Sequence, residues 1–154
     1  MSMRLVLPCL LSALVITACG HKPPAGGGGG EGATAVLPDV PFEQLDHRQR
    51  IQFMKQVVVP AMKPLFQNHK PGQLADFGCK TCHGEAADHG EFNMPSDKIP
   101  KLNLADLGKF EQVDIEWMKT EIKPTMARLL KEPEYSPENP RGFGCLHCHM
   151  QAAE

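Results

Sequence analysis

Two short segments of this chain share one frame, Phe-Gly-Cys-x-x-Cys, and in each segment His follows the frame directly. The first motif covers residues 77–83 and the second covers residues 143–149. Two cysteines three positions apart lie on one side of a helical turn, so both sulfurs can reach a single bound group. Any fold of this chain must therefore contain two separate places, each with two thiols and one imidazole.

Four cysteines in two CxxC pairs are compatible with several kinds of site. Exported chains meet an oxidising compartment, so disulfides are one alternative. A zinc site closed by four thiolates is a second alternative, with the two pairs separated by 62 residues. A thioredoxin-like dithiol is a third, although that motif belongs to a βαβ pattern that this sequence lacks. None of the three requires His after both second cysteines.

Covalent attachment of haem c does require this His. The two thiols form thioethers with the two vinyl groups of one haem, and the imidazole of the next residue binds the iron. On the motifs CKTCH and CLHCH the sequence resembles a dihaem c-type cytochrome. The resemblance implies two covalently bound haems c, with His83 and His149 as the proximal iron ligands. The residues that it assigns to cofactor binding are Cys79, Cys82 and His83 for the first haem, and Cys145, Cys148 and His149 for the second.

Each motif ends a longer repeat. Segment 51–66, IQFMKQVVVPAMKPLF, aligns without gaps with segment 115–130, IEWMKTEIKPTMARLL. In both segments the apolar residues recur at steps of three and four, which predicts helices. We therefore predict an all-α fold with extensive coil, no significant sheet and two duplicated helix–loop–CxxCH units, about 42–100 and 101–154. Residues 104–110 predict one further short helix between the repeats.

Each predicted helix contains a proline at the same position, Pro60 in the first and Pro124 in the second. Proline has no N–H group, so the carbonyl four residues earlier loses its usual donor. Either each helix kinks at its proline, or each segment forms two short helices with the proline near the start of the second. The sequence leaves both alternatives open.

Methionine is abundant, and a thioether sulfur can complete the coordination of a haem iron. The repeat places methionines in two matched pairs, Met62 with Met126 and Met54 with Met118. A helix-borne Met upstream of CxxCH resembles the tetrahaem cytochrome subunit of photosynthetic reaction centres, which favours the Met nearer the motif. Met62 and Met126 are therefore the predicted sixth ligands, with Met54 and Met118 as alternatives. Core filling is the other common role of such residues.

Further alternatives exist for the first iron. Met94 lies eleven residues after His83 in a Met-Pro pair that resembles the distal-ligand segment of many single-haem cytochromes c. It has no counterpart after His149. A second imidazole from His69 or His89 would give bis-His ligation, but neither residue is duplicated. Both histidines are instead predicted to be exposed loop residues.

The N-terminal residues 1–18 have the pattern of a signal peptide. Arg4 precedes an apolar stretch that is too short to span a bilayer comfortably. The sequence ITAC, which ends at Cys19, resembles a bacterial lipobox and implies lipidation of Cys19. An ordinary signal peptide cleaved near Ala18 is the alternative.

Residues 19–41 contain five consecutive glycines and a pair of prolines, and they predict a flexible linker. A Gly-rich chain of about 20 residues has an r.m.s. reach of roughly 25 Å. The folded domain, 42–154, is therefore expected close to a bacterial membrane on its periplasmic side. Gly20 after the lipidated cysteine favours the outer membrane.

The resemblance implies an electron carrier rather than an enzyme. We expect a periplasmic, membrane-tethered dihaem cytochrome c that passes single electrons between other periplasmic or membrane redox proteins. The net charge of −2 favours neither nucleic acid nor an anionic membrane surface as a partner. A haem subunit or sensor module of a larger membrane redox complex is the alternative. A dihaem peroxidase needs a five-coordinate iron, and the duplicated methionines argue against one.

Lipidation of Cys19 has a direct test. Substitution Cys19→Ala removes the thiol that carries the lipid, so the protein should move from the membrane fraction to the soluble fraction and lose metabolically incorporated fatty acid. Cys9→Ala is the matched control, because Cys9 lies in the predicted signal peptide. A Cys19→Ala protein that still carries fatty acid contradicts the prediction.

Overall fold

The computed structural model describes residues 36–153. The predicted signal peptide, the lipid site Cys19 and the linker as far as residue 35 lie outside these residues. Within the described range, no helix is both long and apolar enough to cross a membrane.

The described residues form helices joined by coil. Helix α1 is His47–Phe53, α2 is Val59–His69, α3 is Cys79–His83, α4 is Gln112–Trp117 and α5 is Lys123–Leu130. Turns of 3-10 helix occur at Phe42–Gln44, Glu85–His89 and Cys145–His147. Between residues 36 and 153 there are isolated backbone bridges but no strands or sheet. The predicted all-α fold with extensive coil is confirmed, whereas the common origin of the two units stays a prediction.

Helix α1 begins at a capping box. The Asp46 carboxylate accepts a hydrogen bond from the Gln49 backbone N–H at 2.9 Å, and the Gln49 side chain accepts one from the Asp46 N–H at 2.9 Å. Two backbone donors at the helix start are thereby satisfied. The helical run that starts here continues without interruption as far as His69.

Both predicted helices contain a π turn at the matching place, Met54–Val58 in one and Met118–Ile122 in the other. The Val59 N–H donates to the Met54 carbonyl, five residues back, and the Lys123 N–H donates to the Met118 carbonyl in the same way. The wider turn comes just before the proline, where the regular ladder loses a donor in any case. Each segment is therefore one continuous helical run with a π turn, and does not split into two helices.

The two helical runs pack against each other reciprocally. Helix α2 contacts the second π turn, and α5 contacts the first π turn. The first buried cluster consists of Val58, Met62 and Phe77, with residues of both runs packed around it. The second consists of Ala127, Leu130 and Phe143, and again both runs contribute. Apolar burial between the runs is the main contact that joins them.

The short helix predicted for residues 104–110 is wrong, because this stretch forms turns. The Asn103 side chain accepts a hydrogen bond from the Ala105 N–H at 3.0 Å, and the Asp106 side chain accepts one from the Gly108 N–H at 3.1 Å. Such side-chain acceptors offer the backbone an alternative to the helical ladder.

The second cluster gives a stability prediction. Leu130 is only 6% exposed, so Leu130→Ala should lower the free energy of unfolding by about 2–5 kcal/mol. Val113 is 65% exposed, and Val113→Ala should change it by no more than about 0.5 kcal/mol. Urea unfolding of both variants and the wild type checks this. Equal effects of the two substitutions would show that the second cluster does not stabilise the fold.

Candidate functional site

The first motif opens with a capped helical turn. The Gly78 N–H donates to Thr81 Oγ1 at 3.0 Å, and α3 then carries Cys79, Cys82 and His83. The two cysteines thus lie on one turn and face the same side, as the spacing predicts. Gly84 ends the helix at φ 73° and ψ −168°, a conformation that is essentially restricted to glycine.

In the second motif a side chain again caps the N–H of the glycine before the first cysteine, but the capping residue is different. The Gly144 N–H donates to His147 Nδ1 at 3.0 Å, and a 3-10 turn holds Cys145–His147. His147 is exposed. Its capping role was not predicted, because Glu and Gln are the usual residues whose side chains accept from the N-cap N–H.

The two motifs lie next to each other because the chain after the first one pairs with the chain of the second. The Ser96 N–H donates to the Cys148 carbonyl at 2.9 Å, and the Leu102 N–H donates to the Met150 carbonyl at 2.9 Å. The Ala152 N–H in turn donates to the Leu102 carbonyl at 2.8 Å. One loop therefore leads from the first motif to the backbone of the second.

The second cysteine of each motif is half-buried. Burial raises the pKa of Cys82 to about 11 and that of Cys148 to about 12. Repulsion from the thiolate forms of Cys82 and Cys145 raises the pKa of Cys148 further. Both groups are therefore protonated thiols at neutral pH, whereas nucleophilic cysteines are thiolates.

The structure also bears on the disulfide and zinc alternatives. All four cysteines between residues 36 and 153 are free thiols. No group of three or more His, Cys, Asp or Glu side chains in this range is arranged to hold a metal ion. A closed four-thiolate zinc site is therefore not formed by the described residues.

The imidazole of His149 is held by a backbone carbonyl. Its Nδ1 lies 2.8 Å from the Pro100 oxygen. A carbonyl can only accept, so Nδ1 carries the proton and the neutral ring has its lone pair on Nε2. This is the arrangement that orients metal-binding histidines in proteins.

His83 has a different environment. Its Nδ1 is buried and has no hydrogen-bond partner among the described residues. Burial lowers the pKa of His83, and a backbone contact with Asn93 has the opposite, smaller effect. The ring also packs edge-on against Phe92, with centroids 5.4 Å apart. His83 is therefore a neutral, half-buried imidazole whose Nδ1 has no hydrogen-bond partner among the described residues.

A cleft of about 460 Å³ lies beside His83. Its walls come from the loop after the first motif, including Asn93, Ser96 and Lys98, and from Met150 of the C-terminal segment. Met150 was not singled out from the sequence. It stands directly after the second motif and has no counterpart after the first, so the duplication gave no signal for it.

The predicted methionine ligands occupy the contact between the helical runs. Met62 is 3% exposed in the first cluster and does not line the cleft beside His83. Met126 and Met54 are partly buried and pack against both clusters, and Cys148 packs against the second. Met118 is half-buried at the start of its π turn, and Met94 is 37% exposed. None of these assignments is tested, and all stay predictions.

The prediction that His69 is an exposed loop residue is wrong. His69 ends α2, and its side chain is only 14% exposed. Its ring stacks on Trp117 with centroids 4.0 Å apart, and its Nε2 lies 2.7 Å from Asp114 Oδ1. Lys70 also binds Asp114 at 2.6 Å, and these partners lower the pKa of Asp114. His89 is exposed, as predicted.

The donor set of each motif fits a covalently attached haem. Two thiols lie on one turn, and the following imidazole is either fixed through Nδ1, as in His149, or has that nitrogen buried and unpaired, as in His83. Comparison with protein-family models, curated proteins and solved structures gives no match. The chemistry of the residues is therefore the basis for any functional assignment.

Gly84 gives a prediction for the first motif. A Cβ at this position would meet Cβ and Cγ of Lys98, and the backbone conformation itself excludes other residues. Gly84→Ala should therefore destabilise the cleft wall and lower the fraction of Cys79 and Cys82 that carries covalent haem. Mass spectrometry of the peptide that contains both cysteines measures this fraction.

The matched control is Gly90→Ala. Gly90 also has a positive φ, 79°, but nothing lies within 4 Å of the added Cβ. The substitution Gly90→Ala should cost about 1–2 kcal/mol in backbone strain and leave covalent haem attachment unchanged. Equal haem attachment in the two variants would mean that the Lys98 contact has no part in the site.

Proposed function

We propose that this protein is a membrane-tethered dihaem cytochrome c that carries single electrons between redox partners on the periplasmic side of a bacterial membrane. The observation that carries the proposal is the pair of CxxCH motifs whose backbones are linked by one loop. Ser96 binds the backbone of Cys148, and Pro100 binds the ring of His149. Cys79, Cys82 and His83 would hold one haem, and Cys145, Cys148 and His149 the other.

Haem supplies a one-electron iron couple, and the protein supplies attachment, orientation and shielding from water. The capped turns present both thiols of a motif on the same side. A hydrogen bond from Nδ1 of a ligating histidine makes the ring a stronger electron donor. Pro100 would therefore favour the oxidised state of the second site, and His83 lacks such a bond. Two sites with different potentials suit a carrier that accepts from one partner and delivers to another.

The small core also supports bound cofactors. Among residues 36–153, seven apolar residues are buried, and none of the large side chains is fully buried. Small domains with so little core usually depend on a covalent or metal staple. Two large apolar cofactors would supply surface that the side chains do not.

The sixth ligand of the second iron remains the predicted Met126. The support is that Met126 and Cys148 pack against the same buried cluster. A thioether opposite histidine raises the potential relative to two histidines, which is typical of electron carriers.

The number of haems is tested by two double variants of the exported protein. Cys79→Ser with Cys82→Ser should remove one covalent haem from the mass of the protein, and Cys145→Ser with Cys148→Ser should remove the other. The wild type should take up two electrons in a redox titration, and each variant one. The variants are matched controls for each other.

Three results contradict the proposal. Wild-type protein without covalent haem would show that the motifs hold something else. Haem without a reversible couple would exclude electron transfer. Rapid turnover of peroxide at a high-spin ferric iron would favour a peroxidase instead.

A further inference from the structure

Met150, the residue after the second motif, lies at the cleft beside the first motif. Met150 follows His149 directly and lines the cleft beside His83. It is 36% exposed, close to the 37% of Met94. It is the one methionine among the described residues that line this cleft.

The local backbone explains this direction. His149 and Gln151 form bridges to Ser96 and Leu102, so the chain here is extended. Successive side chains of an extended chain point to opposite sides. His149 directs its ring toward the Pro100 carbonyl, and Met150 is directed toward the cleft.

The position of Met150 is also fixed. Its carbonyl accepts a hydrogen bond from the Leu102 N–H at 2.9 Å. The hydrogen bonds from Ser96 to Cys148 and from Ala152 to Leu102 hold the residues on either side. The thioether is therefore presented by a backbone that is anchored to the loop of the first motif.

We propose that Met150 supplies the thioether that binds the first iron on the side opposite His83. This inference rests on the proposed function. Thioether sulfur is a neutral, soft ligand that haem iron accepts, and the cleft holds no second imidazole among its lining residues. A bound cofactor would also cover the exposed apolar surface of Met150.

The competing methionines have weaker positions. Met62 is buried with Val58 and Phe77 and would have to leave a packed cluster to reach the cleft. Met94 lies next to two wall residues but does not itself line the cleft. The consequence is that adjacent residues, His149 and Met150, would bind different irons and join the two sites through two residues of backbone.

The test uses protein labelled with ¹³C at the methionine methyl groups. In the reduced, low-spin state, the haem ring current shifts the methyl signal of an axial methionine far from the signals of the others. The wild type should show two such shifted signals. Met150→Leu keeps the volume but removes the sulfur, so one of the two should disappear. Met62→Leu and Met94→Leu are matched controls and should retain both.

The haem content of every variant is measured first by intact mass. Absence of covalent haem overturns the proposed function and this inference together. Two haems with both shifted signals in Met150→Leu overturn the inference alone. Two haems with one signal lost in Met62→Leu or Met94→Leu likewise overturn it and assign the ligand to that residue.

Discussion

The pairing of residues 96–102 with residues 148–152 is the interaction on which the candidate site depends. It joins the loop after the first motif to the chain of the second by backbone hydrogen bonds, which act regardless of side-chain identity. The same loop provides part of the cleft beside His83 and the carbonyl that holds His149. A shift in this loop would therefore alter both sites at once.

The reciprocal packing of the helical runs is the second constraint. Each π turn lies against the α-helix that follows the other, and the methionines of the repeat lie in this contact. A π turn widens the helix by one residue and is often found at functional sites. Here it changes the hydrogen-bond register just before the proline, so the helix continues past a residue that ordinarily interrupts it.

The sequence predicted the helices well because apolar residues recur with a clear helical period around Met54 and Met118. It did not predict the π turns, because a proline shows only that a donor is missing. It misplaced His69, whose partner Asp114 lies far along the chain. Met150 was overlooked because a single residue gives no signal in a search for repeats. Contacts between distant segments account for most of what was missed.

The stack of His69 on Trp117 has an experimental consequence. Trp117 is the single tryptophan of the chain, and its ring is nearly parallel to the imidazole, at 2°. Helix α2 and helix α4 meet at this point, so the indole emission reports on that contact without any added label. Protonated imidazole and nearby haem both quench indole fluorescence. The protein thus carries an intrinsic optical probe of how its two helical runs come together during folding.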